Sequence, residues 1–83
     1  MDTIKFVMIS DSSNFIEKII RIDLSIAEKK ERLKMLINAI NVTIKMCNLE
    51  HCLLNSFSVN DTYYNRHSNK KLFKVLDSKI LQK

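Results

Sequence analysis

Apolar residues recur at spacings of three and four along much of this chain. Placed at 100° per residue, Phe15, Ile16, Ile19, Ile20, Ile22 and Ile26 fall within one broad sector, with Glu17, Lys18 and Arg21 elsewhere, as in a helix with one buried face. Ser12, Ser13 and Asn14 stand directly before them as N-cap residues. Glu17 lies three positions after Asn14, where a capping carboxylate reaches back to the helix start. The pattern predicts a helix from about residue 14. Ser25-Ile26-Ala27-Glu28 has the S-x-x-E form of a capping box, so either a new helix starts there or a long one continues through it.

From residue 26 to about 50 the periodicity predicts a long central helix with two opposed apolar stripes. Leu33, Leu36, Ile37, Ile40, Ile44 and Cys47 form the first; Met35, Val42, Met46, Leu49 and Leu53 form the second, about 180° away. A helix that is apolar on both sides must be covered on both, by its own chain or by another molecule. Residues 54–69 are rich in Asn and Ser without sustained periodicity and read as a loop, with a short helix allowed at Ser58 ahead of Asp61. Ser68 or Asn69 then caps a last helix with Leu72, Phe73, Val75, Leu76 and Ile80 on one face and Lys70, Lys71 and Lys74 on the other. At the start, Ile4, Phe6 and Met8 alternate as in a strand, but Val7 and Ile9 are apolar too. The reading adopted is a short helix capped by Asp2 or Thr3; a strand there has 57–59 as its local pairing candidate.

These elements add up to an all-α fold: one domain over residues 1–83, a bundle of three to four helices around the central one. Composition supports this in one respect, because the chain has no Gly and no Pro, the residues on which primed hairpin turns and phosphate-binding loops rely. Eighty-three residues also bury only roughly 60% of the unfolded surface, which makes a partner subunit or self-association an expected source of stability. The second apolar stripe, with its two adaptable methionines, is the expected protein interface and homo-oligomer contact.

Charge is unevenly placed. The net charge is +5, and residues 51–83 hold six cationic side chains against two acids. Such a field favours acidic proteins, nucleic acid or anionic lipid without choosing among them. For nucleic acid the candidates are Arg66, Lys70, Lys71 and Lys74 beside Tyr63 and Tyr64, and a polar strip of Lys30, Lys34 and Lys45 with Asn38, Asn41 and Asn48. Only three arginines are available for base contacts. No stretch is long and apolar enough to span a bilayer, and no helix has the Trp and Lys-rich profile of a membrane-surface helix, so no membrane role is expected.

Candidate chemistry is sparse. Cys47, His51 and Cys52, with His67 further on, are the nearest approach to a metal-ligand set. Their spacing matches no common zinc pattern, and the two cysteines fit small apolar positions instead. Neither an acid pair nor a nucleophile with a matched base stands out. No metal, cofactor or enzymatic activity is expected. Two cysteines alone suit a reducing, cytoplasmic setting. The abundance of Ile, Lys and Asn with only two Ala is what low-GC genomes produce. The expected function is that of a small helical regulatory or accessory protein acting by protein–protein binding, such as a virus- or phage-encoded modulator of host machinery. The alternative is a small basic nucleic-acid-binding protein.

Overall fold

Two hairpins and two helices stand where a helical bundle is expected. The structure, a computed structural model, describes residues 1–82. Strands β1 (Asp2–Ile9) and β2 (Phe15–Ile22) lead through a single 3-10 turn at Leu24–Ile26 into helix α1 (Lys29–Met46). Strands β3 (Leu53–Val59) and β4 (Thr62–Asn65) and helix α2 (Lys70–Lys79) follow. The strands form one antiparallel sheet in the order β2-β1-β3-β4. The fold is therefore α/β, a sheet layered against two helices, and the expected all-α class is wrong.

The error lies in residues 2–22 and 53–65. In β2, the residues that read as one helical sector divide by parity: Ile16, Ile20 and Ile22 pack on the core, while Phe15 and Ile19 point away from it. Six isoleucines between residues 4 and 22 weigh toward strand, because branching at Cβ costs side-chain freedom in a helix and suits a pleated surface. Ser12 and Ser13 cap no helix; they lie in the β1–β2 turn. Ser10 donates its N–H to the Asn14 carbonyl at 3.0 Å, Ser13 donates to the Ser10 carbonyl at 2.9 Å, and Ser13 takes the left-handed conformation with φ 64°. This is a three-residue hairpin loop with a serine where glycine is usual.

The second hairpin turns at Asn60-Asp61, with Asn60 at φ 55°. Asn60 is held by β1: its N–H donates to the Thr3 carbonyl at 2.8 Å, and its Oδ1 accepts from the Thr3 N–H at 3.0 Å. The alternation of β3 is broken by a register shift against β1 between Val7 and Met8, which leaves Asn55 without an opposite residue. Leu54 and Phe57, three apart, thereby both face the helices.

α1 starts later than its capping signal. Asp23, not Glu28, binds Ser25, accepting from its N–H at 3.1 Å, and Glu28 stands at the N-cap of α1 without a side-chain capping bond. At the other end the helix stops because Asn48 turns left-handed at φ 56°. Asn48 donates to the Lys45 carbonyl at 3.3 Å and Leu49 to the Ile44 carbonyl at 2.9 Å, a Schellman closure that folds Leu49 into the core.

The core lies between the layers. Ile4, Phe6 and Met8 of β1 and Leu54 and Phe57 of β3 meet Leu36, Ile37, Ile40 and Ile44 of α1 and Phe73 and Leu76 of α2. Both helices thus cover one face of the sheet.

Candidate functional site

Because the helices occupy one side only, the other side of the sheet is bare. Its residues follow from the strand registers. Phe15, Ile9 and Leu53 form one row across β2, β1 and β3. Behind it come Glu17, Val7, Ser56 and Asn65, and then Ile19, Lys5, Ser58 and Tyr63. Phe15 is 66% exposed, Ile19 56% and Leu53 38%, while Ile9 and Val7 between them are half-buried. An apolar patch thus covers the β1–β2 half of the bare face, with Lys5, Glu17 and Arg21 as its charges. On the β3–β4 half Ser56 is buried, with Asn55 donating to its hydroxyl, and what is offered is the half-buried Ser58 and Asn65 and the exposed ring of Tyr63.

The five expected interface residues do not form one surface. Met35, Val42 and Met46 share the outer side of α1 with Ala39, and of these Val42 and Met46 are exposed. Leu49 is buried by the helix closure described above, and Leu53 lies on the bare face of the sheet, in the opposite layer. The expected helix ends at about residue 50 with its second stripe drawn on to Leu53; the left-handed Asn48 closes the helix after Met46.

Of the expected cationic cluster, Lys70, Lys71 and Lys74 are exposed on α2, and Arg66 is tied into the fold. Its Nε and one terminal nitrogen donate to the Leu54 carbonyl at 3.0 and 2.8 Å. Both terminal nitrogens donate to Asp77, at 2.7 and 2.6 Å. The guanidinium also lies 5.2 Å from the centre of the Phe73 ring. The hydrogen bonds from Arg66 hold the Asp77 carboxyl below its ordinary pKa, with a further bond from Gln82. Tyr64 stacks on Phe57 at 4.8 Å, on the helix side, so the two tyrosines lie on opposite faces of the sheet.

Of the polar strip on α1, Lys30, Lys34, Asn38 and Asn41 line a groove of about 330 Å³ against Lys79. Asn41 is fully used there, donating to the Lys79 carbonyl at 2.9 Å and accepting from the Leu81 N–H at 2.7 Å. A larger cleft of about 530 Å³ opens between the N-terminal half of α1 and the sheet, floored by Leu33, Leu36, Phe57, Val59, Tyr64 and Leu72. Its polar rim is mostly spoken for. Asp2 accepts from Asn60 Nδ2 at 2.9 Å and from the Leu24 N–H at 2.9 Å, in that order the causes of its lowered pKa; Arg32 Nε donates to the Ala27 carbonyl at 3.2 Å.

Cys47 is exposed at the end of α1 and Cys52 is buried in the core; both are free thiols. His51 and His67 are exposed. Among the described residues no group of three or more His, Cys, Asp or Glu converges as metal ligands would, and no helix is long and apolar enough to cross a membrane.

The bare apolar face escaped the sequence reading because it requires strands. Its signal was nonetheless present: β1 is apolar at Val7 and Ile9 as well as at Ile4, Phe6 and Met8, the mark of a strand with apolar residues on both sides. Comparison with protein-family models, curated proteins and solved structures finds no match for this chain.

Proposed function

We propose that this chain is a small binding protein that meets a protein partner through the bare face of its sheet and acts by occupying that partner's surface, not by catalysis. The observation that carries this is the row Phe15, Ile9 and Leu53, continuous across three strands and led by a phenylalanine left two-thirds exposed. Aromatic residues on an uncovered face are the usual anchors of protein interfaces. Lys5 and Arg21 outnumber Glu17 on this face, so the fitting partner surface is apolar with acidic groups at its border. Two free cysteines, one of them exposed, suit action in the reducing cytoplasm.

The nucleic-acid reading has less support, since Arg66 is committed to Asp77 and Leu54 and Tyr64 to Phe57.

Two variants decide between the surfaces. In cross-linking followed by affinity capture, Phe15→Ser with Leu53→Ser is expected to lose a partner that the native chain retains, while Lys70, Lys71 and Lys74→Gln keeps it. The reverse pattern, with retention that falls steeply with salt, assigns function to the lysines and overturns the proposal.

A further inference from the structure

We propose that two copies of this chain pair through the free edges of β2, antiparallel about a two-fold axis at Ile19, to make one continuous sheet. This contact lies at the rim of the sheet and is independent of what its bare face binds.

The backbone defines which groups the edge offers. Ser10 and Asn14 form a directly bonded pair at the end of the β1–β2 ladder, and bonded pairs alternate with unbonded ones along an antiparallel ladder. Ile16, Lys18, Ile20 and Ile22 therefore aim their backbone groups at β1. The bond from Asn60 to the Thr3 carbonyl checks the phase from the other side of β1, where Thr3 and its odd-numbered neighbours serve β3. Phe15, Glu17, Ile19 and Arg21 are left to turn their N–H and C=O groups outward.

The side chains select the register. With Ile19 opposite Ile19 of the second copy, Glu17 faces Arg21 of that copy, and Arg21 faces its Glu17, on one side of the sheet. On the other, Ile16 faces Ile22 and Lys18 faces Ile20. Each bonded pair uses residues whose backbone groups point outward, so geometry and charge agree. Neighbouring registers do worse. Those centred on Glu17, Lys18 or Arg21 oppose like charges at the axis, and one centred on Ile20 sets Glu17 against Asp23.

The two edges of the sheet are unequal in what protects them. β4 is four residues long, whereas β2 runs for eight residues with no bulge against β1. An edge of that kind is a pairing template. Lys18, half-buried on the helix side, is its one charge aimed inward; in this register its stem lies over Ile20 of the second copy and its ammonium reaches solvent.

A charge swap tests the register. Sedimentation of the native chain over a concentration series is expected to show a monomer–dimer equilibrium. Glu17→Arg alone, or Arg21→Glu alone, should weaken it by about tenfold, and the double exchange should restore it. Independently, Ile19→Cys in a Cys47→Ser background should form a covalent dimer on mild oxidation, since directly paired residues lie ~5.5 Å apart between Cα atoms, within disulfide reach. A native chain that stays monomeric throughout overturns the proposal. So does a dimer that the double exchange fails to restore or that Ile19→Cys fails to cross-link.

Discussion

β1 and β2 pair along eight residues and carry apolar side chains on both faces, whereas β3 and β4 pair along four and, beyond Leu53, place Ser56, Ser58, Asn65 and Tyr63 on the face away from the helices, with Ser56 buried. The first hairpin buries Ile4, Phe6 and Met8; its side-chain hydrogen bonds join Ser10, Ser12 and Asn14 at the turn, and its Asp2 accepts from the N–H of the following Leu24. The second is fastened by polar bonds at both ends: Asn60 to β1 at its turn, and Arg66 to Leu54 and Asp77 where β4 runs out. Within one sheet, then, stability and available surface are unequally distributed. The first half keeps the larger spare apolar area and the longer open edge; the second adds only Leu53 and the Tyr63 ring as apolar surface on the bare face and ends in an edge strand of four residues.

This contrast breaks most readily in the first hairpin. Phe6→Ala should cost about 3–5 kcal/mol, as large-to-small changes at fully buried phenylalanines do, whereas Phe15→Ala on the opposite face should stay within ~0.5 kcal/mol. Urea unfolding followed by circular dichroism measures both, and similar costs at the two positions would mean that the bare face is covered. Next in size is Arg66→Met, which keeps the aliphatic stem but removes the guanidinium from the Phe73 ring and from the Leu54 carbonyl, and leaves Asp77 with Gln82 as its side-chain donor. A loss of roughly 1–2 kcal/mol is expected in the same assay.

The two turns should respond with opposite signs. Ser13→Gly removes the penalty of a left-handed serine whose side chain is not part of the turn's hydrogen bonding, and should stabilise by about 0.5 kcal/mol. Asn60→Gly relieves a similar penalty and keeps the backbone bond to the Thr3 carbonyl, but removes the side-chain bonds to Thr3 N–H and Asp2, for a net loss of about 1 kcal/mol. Thermal melts of the pair check the signs. The mildest effect is expected in acid. Asp2 and Asp77 both have pKa values lowered by folding, so the unfolded chain takes up protons first and acid draws the equilibrium toward it. Their contribution is complete above the ordinary aspartate value of about 4 and is lost as pH falls through the lowered folded values. Asp2→Asn should flatten the acid limb of a pH–stability curve, and an unchanged limb would show that the bonds from Asn60 and Leu24 carry no net stability.

How far the sequence could be read depended on whether local pattern and tertiary role agreed. α2 lies where the 3.6-residue period and the Asn69 boundary place it, and the first stripe of α1 from Leu36 to Ile44 faces the core. The strands failed for separable reasons. In β2 the order Phe15-Ile16, Ile19-Ile20 satisfies a helical sector as well as a strand apolar on both faces, and periodicity alone does not separate the two. In β3 the extra residue Asn55 breaks alternation at the point where it was needed. The absence of glycine argues against primed hairpin turns, yet Ser13, Asn48 and Asn60 supply the left-handed positions among the described residues. Asn is among the side chains that tolerate that region, and two of the three positions use it. Of the expected interface, Met35, Val42 and Met46 stay together on α1, and Leu49 and Leu53 leave it because they lie beyond the turn at Asn48.

The central place of β1 also bears on the order of assembly. Its pairing with β2 spans a short loop, but its other side stays open until β3 arrives, some fifty residues later in the chain. Local hairpins form in microseconds, while contacts so distant in sequence must first close a long loop. During synthesis β1 therefore waits for its second neighbour, and although α1 is made in that interval and can cover Ile4, Phe6 and Met8, the backbone groups of Lys5 and Val7 stay open on the β3 side. Pulse-labelled hydrogen exchange should find the amides of Ile4 and Phe6 protected before those of Lys5 and Val7, whose bonds wait for β3. A nascent chain held short of residue 59 would expose that unpaired strand edge to chaperones or to its own neighbours on the ribosome.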